Sequence, residues 1–131
     1  MTLEGHPSEC FVCGLLGIDV HVDEGRASAE LVLDARVTGP PPFTHGGAIS
    51  ALFDEVLGAA AHDRAPASMT AHLEIDFRRP WPVGEWARMT AQSRQLGEHK
   101  LLVTGELSDA EGELFAEARG MWVVPRAARR G

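Results

Sequence analysis

From Met69 to Arg78 the chain alternates without a break. Met69, Ala71, Leu73, Ile75 and Phe77 interleave with Thr70, His72, Glu74, Asp76 and Arg78. A period of two is that of a strand with one apolar and one polar face. A hairpin is predicted earlier, from about Ile18 to Leu33, where alternating residues flank the acidic, glycine-containing turn "DEGR". Three more strand-like runs follow the long one: Trp86 to Leu96, Leu101 to Ser108 and Leu114 to Val124. They are separated by "GEHK" and "DAEGE", which suit the turns of a meander.

Between the hairpin and the long strand the period changes. After the proline-rich loop "TGPPPF", which cannot be helix interior, Thr44 can cap a helix running from Gly47 to about His62. At about 100° per residue, Ile49, Leu52, Phe53, Val56, Leu57 and Ala60 fall on one stripe. The predicted class is α+β: one long helix and an antiparallel sheet of five to six strands. One helix cannot hide both faces of such a sheet. The last strand is apolar on both faces, with Leu114, Ala116, Ala118, Gly120, Trp122 and Val124 on one and Phe115, Met121 and Val123 on the other. That predicts cover from a second subunit.

The helix face opposite its stripe holds Gly47, Ala51, Asp54, Gly58 and Ala61. A solvated face is normally rich in Lys, Glu and Gln. A mid-helix glycine costs about 1 kcal/mol against Ala, so Gly58 implies a packing reason. The expectation is that a partner chain covers this face and partly desolvates Asp54, a position in which a carboxylate is costly unless bonded or useful. A solvated Asp on an alanine-rich helix is the alternative. The helix opens with His45-Gly46-Gly47. Its first N–H groups lack internal partners and could take an anion or a polarised carbonyl oxygen.

Composition narrows the field. With 131 residues, 44% hydrophobic and 24% charged, the chain suits one globular domain. Residues 1–124 are expected to form it, with "PRAARRG" at 125–131 as a flexible basic tail. A net charge of −7 argues against nonspecific nucleic-acid binding. No apolar run is long enough for a membrane span and no signal peptide is evident, so a cytoplasmic location is expected. Cys10 and Cys13 would then be reduced. One Cys pair with His6 nearby does not make a four-ligand site, so no metal is expected.

"HGGAISALFDEVLG" resembles the signature of hotdog-fold acyl-CoA thioesterases of the 4-hydroxybenzoyl-CoA and phenylacetic-acid-degradation type. The predicted order of elements matches the hotdog fold over about residues 10 to 124, and "CFVCG" and "RRPWPVG" are similar to segments of that group. The resemblance implies hydrolysis of an acyl-CoA without a cofactor. It implies that Asp54 is the general base or nucleophile, that the Gly46 N–H polarises the thioester carbonyl, and that Thr70 helps to hold the water. His45 and Gly47 at the helix start are candidate substrate contacts, and self-association as a homodimer and a dimer of dimers is expected. Some relatives carry an amide side chain in the loop before the His; "TGPPPFT" offers none.

Arg78, Arg79, Arg88 and Arg94 are candidate phosphate contacts for the CoA moiety. His45 has two further readings: a structural one, bonding a loop carbonyl, and a catalytic one, as base of a hotdog hydratase or dehydratase. A non-catalytic acyl-CoA-binding module is the remaining alternative, since fold does not fix function. Along a helix Gly46 and Asp54 stand roughly 12 Å apart, so a site using both would have to draw them from two chains.

Overall fold

The computed structural model describes residues 11–129. Two helices and six strands follow one another as α1 (Phe11–Leu16), β1 (His21–Asp23), β2 (Arg26–Leu31), α2 (Gly46–Arg64), β3 (Met69–Phe77), β4 (Ala87–Gly97), β5 (Lys100–Ser108) and β6 (Leu114–Val123). The sheet is antiparallel, in the order β1-β2-β4-β5-β6-β3, and α2 lies across one face of it. This is the hotdog arrangement. The short α1 falls in a segment for which the sequence predicted no element. Cys10, and the side chain of Cys13, lie outside the described residues.

The stripe of α2 packs as its periodicity dictates. Leu52, Phe53, Val56 and Leu57 have no exposed surface and meet Met89, Leu101, Val103 and Leu107 of the sheet in one core. Gly105 admits the helix: a Cβ there would stand 2.6 Å from a Leu57 methyl group. The β1–β2 turn places Glu24 and Gly25 at positive φ, as a tight two-residue hairpin requires. That turn holds the far end of the helix. The Gly25 N–H donates to Asp63 Oδ2 at 2.7 Å, and Arg64 Nε donates to Ser93 Oγ at 2.9 Å. The buried Ser93 hydroxyl lies 2.8 Å from the carbonyls of both Gly25 and Ala60 and can donate to either.

Three expectations need correction. Gly58 and Ala61 do not face a partner: both are buried within this chain, and a Cβ at Gly58 would sit 3.6 Å from the Trp122 indole nitrogen. That is an ordinary contact distance, so β6 of its own sheet covers Gly58 but leaves room for a methyl group. Only the first half of the small-residue face stays open, with Gly47 and Asp54 exposed and Ala51 half-buried. Phe115 does not lie on the outer face of β6. Leu107 pairs with Ala116 but Ser108 pairs with Leu114, a bulge that turns Phe115 inward. There it is buried 6.0 Å from Trp81. Met121 and Val123 remain on the outer side, half-buried.

The alternation of β3 is also interrupted. Thr70 pairs with Trp122 and His72 with Met121, leaving Ala71 as an extra residue. Partners on neighbouring strands share a face, and Trp122, Gly120, Ala118 and Ala116 are all buried. Thr70, Leu73, Ile75 and Phe77 therefore point to the helix side. Strict alternation had placed Thr70 with His72 on the opposite face.

β3 is an edge of the sheet with no strand beyond it. It is nine residues long and exposes Met69 and Phe77. Past it, Arg78 pairs with Glu117 at 3.3 Å on the surface. Among the described residues, no helix is long and apolar enough to cross a membrane. At the far end, Arg126–Ala128 make a 3-10 turn and Arg129 donates to the Val124 carbonyl.

Arg79 stays inside. It is ion-paired with Asp109, donates to the Glu113 carbonyl at 3.2 Å, and lies 4.0 Å over the Phe115 ring. Burial pushes the Asp109 carboxyl up, but the N–H groups of Glu113 and Glu111 and the Arg79 guanidinium outweigh it and hold the group below its usual range. A carboxyl depressed on folding contributes stability above its unfolded value, about 3.9, that is lost as pH falls through the lower folded value. Asp109→Asn should therefore lower the urea midpoint at pH 7 and flatten its fall with pH below about 4. Urea titrations from pH 7 to pH 2 on both proteins check this, and parallel curves would refute the role of Asp109.

Candidate active site

Helix α2 starts at Gly46, and its N-cap is His45, not Thr44. The Gly47 N–H donates to His45 Nδ1 at 2.8 Å. Thr44 is buried and its hydroxyl has no partner among the described residues. The His45 backbone is extended, at φ −62° and ψ 135°, as a cap residue should be. A backbone N–H can only donate, so Nδ1 is unprotonated and the neutral ring carries its proton on Nε2. The structural role expected for His45 is thus present in another form, accepting from the helix and not bonding a loop carbonyl. Gly47 is required beneath it, since a Cβ there would stand 2.9 Å from Nδ1. Gly39 fits the loop against the same residue, 2.8 Å from the His45 Cα by the same measure.

With Gly47 capped, the Gly46 N–H is left without an acceptor among the described residues. Ser50 donates to the Gly46 carbonyl at 2.9 Å, which holds the following Gly46–Gly47 peptide, the one whose N–H donates to His45. Gly46 is not needed for the fold of its own chain. Its φ is not in the left-handed region, and a Cβ would meet only the tip of Phe77, at an ordinary 3.8 Å.

Two turns further along α2, Asp54 is exposed, and Thr70 Oγ1 donates to its Oδ1 at 2.7 Å. The bulge at Ala71 makes this contact, because it turns Thr70 towards the helix. The second carboxylate oxygen has no partner among the described residues, so it can accept from a water. Thr70 holds the carboxylate in one orientation, while α2 and β3 supply a rigid base for each.

The candidates therefore fall into groups. Asp54 and Thr70 form one cluster and His45, Gly46 and Gly47 another, at different heights on one helix. Arg78 and Arg79 join neither: each is held in an internal ion pair. Arg88 and Arg94 are exposed on β4 without a hydrogen bond or ion pair among the described residues. Phe77, which the sequence reading did not single out, stands beside Gly46. Its signal was a bulky aromatic at the end of the strand whose start carries Thr70. A concavity of about 850 Å³ lies elsewhere, on the outer sheet face among Arg26, Arg88, Glu106 and Glu117. It is polar and faces away from Asp54, whose own surroundings are an open surface.

The sequence profile of the thioesterase superfamily matches residues 42–116, which include both clusters. The chain belongs to the thioesterase superfamily. It is 30% identical over 86 residues to the acyl-coenzyme A thioesterase THEM4 of Xenopus laevis, covering 65% of this chain and 39% of that protein. It is 33% identical over 102 residues to THEM4 of Bos taurus, covering 77% of this chain and 42% of that one. The chain thus spans about two-fifths of the length of these relatives. The E. coli PaaI protein, from the phenylacetic acid degradation operon, has a TM-score of 0.80 and 27% identity, over 86% of this chain and 83% of PaaI. In this chain His45 fixes the start of α2. His45→Ala should cost about 1 kcal/mol of stability, the usual value of a lost N-cap. Chemical denaturation measures it. A loss within error would show that the Gly47 bond does no capping.

Proposed function

We propose that this chain hydrolyses the thioester of an acyl-CoA. The observation that carries the reading is the Asp54–Thr70 pair at the open edge of the helix, 2.7 Å apart, with one carboxylate oxygen free for water. Asp54 accepts a proton from the attacking water, and the hydroxide oxygen bonds to the thioester carbon. The carbonyl oxygen gains negative charge and is held by the Gly46 N–H at the positive end of α2. The C–S bond then breaks, the proton held by Asp54 passes to the departing sulfur, and CoA leaves as its thiol. Activated water and a polarised carbonyl complete the reaction without a metal or redox cofactor. The superfamily match and the names of the THEM4 relatives support the reaction class.

The active unit is a homodimer on this reading. Eight residues of helix put Gly46 and Asp54 roughly 12 Å apart, whereas a carbonyl and its attacking water meet at about 3 Å. The donor and the base at one bond therefore come from different chains. The long, partly apolar edge of β3 favours this, because an unpaired edge invites another strand. Two β3 edges paired antiparallel would set two α2 helices side by side with opposite directions. Gly46 of each would then approach Asp54 of the other. For the CoA phosphates, Arg78 is the better of the two strand-end arginines: its pair with Glu117 is exposed and weak, while Arg79 is committed to Asp109 and Phe115.

A hydratase using His45 is less well supported, because the Nδ1 lone pair is occupied by Gly47. Release of free thiol from a panel of acyl-CoAs separates the readings, since a hydratase or a binding module releases none. Asp54→Asn should fold normally and lose about 10²–10⁴ in kcat. A variant retaining wild-type kcat would remove Asp54 from the mechanism, and a wild-type chain that releases no thiol from any acyl-CoA would remove the reaction.

A further inference from the structure

Phe77 is 54% exposed although its side chain lies on the inner, helix-facing side of β3, opposite the fully buried Ala116. Its Cζ and Cε1 stand 3.8 and 3.9 Å from the point where a Gly46 Cβ would be. Bare glycine and exposed aromatic together make a flat apolar wall beside the unused Gly46 N–H. Ile75 and Leu73, half-buried on the same side of β3, continue the apolar surface along the strand. Neither arginine at this end of the strand faces the wall: Arg79 is committed to Asp109, and Arg78 reaches Glu117, which pairs with Asp76 on the opposite face of the sheet. Nothing on this wall could neutralise a carboxylate laid against it, and an unpaired charge there would lose its water without compensation.

We infer that Phe77 is a specificity-determining residue: its ring is the surface on which the acyl chain lies when the thioester carbonyl sits at Gly46, and it selects uncharged, apolar acyl groups over carboxylate-bearing ones. The inference rests on the thioesterase reading, which fixes the carbonyl at the helix start. The glycine at 46 has its explanation in the same place, since a methyl group there would fill the slot between helix and ring.

The test reads binding as well as turnover. CoA, its S-hexyl thioether and the ω-carboxy analogue of that thioether cannot be hydrolysed, and their Kd values are measured by calorimetry on wild type, Phe77→Ala and Phe77→Leu. Wild type should bind S-hexyl-CoA at least tenfold more tightly than CoA, and the carboxylated analogue no better than CoA. Losing half or more of a buried aromatic contact corresponds to about tenfold to thirtyfold, so Phe77→Ala should bring the hexyl preference close to one. Phe77→Leu should keep much of it. Sedimentation shows whether each variant retains the wild-type assembly, and Phe77→Leu carries the comparison with wild type and the carboxylated probe if the alanine variant does not. A hexyl preference unchanged in Phe77→Ala, a wild type with no hexyl preference, or tight binding of the carboxylated analogue overturns the inference. Thiol release from hexanoyl-CoA is followed in parallel. Its absence in wild type would count against the thioesterase reading, while the thioether ratios still judge Phe77.

Discussion

A helix is rigid and rises about 1.5 Å per residue, and Gly46 and Asp54 stand on one unbroken turn-by-turn ladder. No side-chain adjustment brings a main-chain N–H and a carboxylate eight residues away to the same bond. The other features of the site follow from that separation. On the proposed reading, each end of the helix segment has one task. The start is capped at Gly47 by His45, so that the N–H of Gly46 remains. The middle carries one acid, oriented by a hydroxyl from the neighbouring strand. The second half is anchored by Asp63, Arg64 and Ser93 and closed over by Trp122, so only the first half remains open to another chain and to a substrate.

The division of the helix into a buried half and an open half also explains the composition of its odd face. Gly58 and Ala61 are covered by their own chain. Gly47 is small because an imidazole lies over it. Gly46 is small for no reason within its own chain. One stretch of glycine and alanine thus has three different settings. The sequence showed the stretch but could not separate the settings, because the pattern of a helix wheel records direction and not distance.

The rest of what the sequence revealed divides in a similar way. Periodicity was sufficient for α2, for the strand order after it and for the β1–β2 turn, where Gly25 meets a real conformational need. The two bulges were not legible. Ala71 and Phe115 are each an ordinary strand residue, and only pairing with β6 or β5 shows that one partner is missing. The first bulge matters most: strict alternation turned Thr70 away from Asp54, while the resemblance placed the two together, and the added residue reconciles them. The Arg79–Asp109 pair was hidden because its partners are thirty residues apart. Thr44 was preferred to His45 as the cap because hydroxyls cap more often; an imidazole can accept the same bond when its Nδ1 is free.

The account stands on a site drawn from two chains, and subunit mixing tests it most directly. Gly46 is the first helical residue, where proline is well tolerated and removes the N–H without breaking the helix, and the extended backbone of His45 already suits a following proline. Asp54→Asn and Gly46→Pro chains, each inactive alone, are unfolded together and refolded as a mixture. In a heterodimer one of the two sites has an intact N–H facing an intact carboxylate. The mixture should therefore release CoA thiol at about a quarter of the wild-type rate, from half of the dimers with one working site in two. A mixture shown by mass spectrometry to contain heterodimers, yet no more active than either parent, would contradict the shared site.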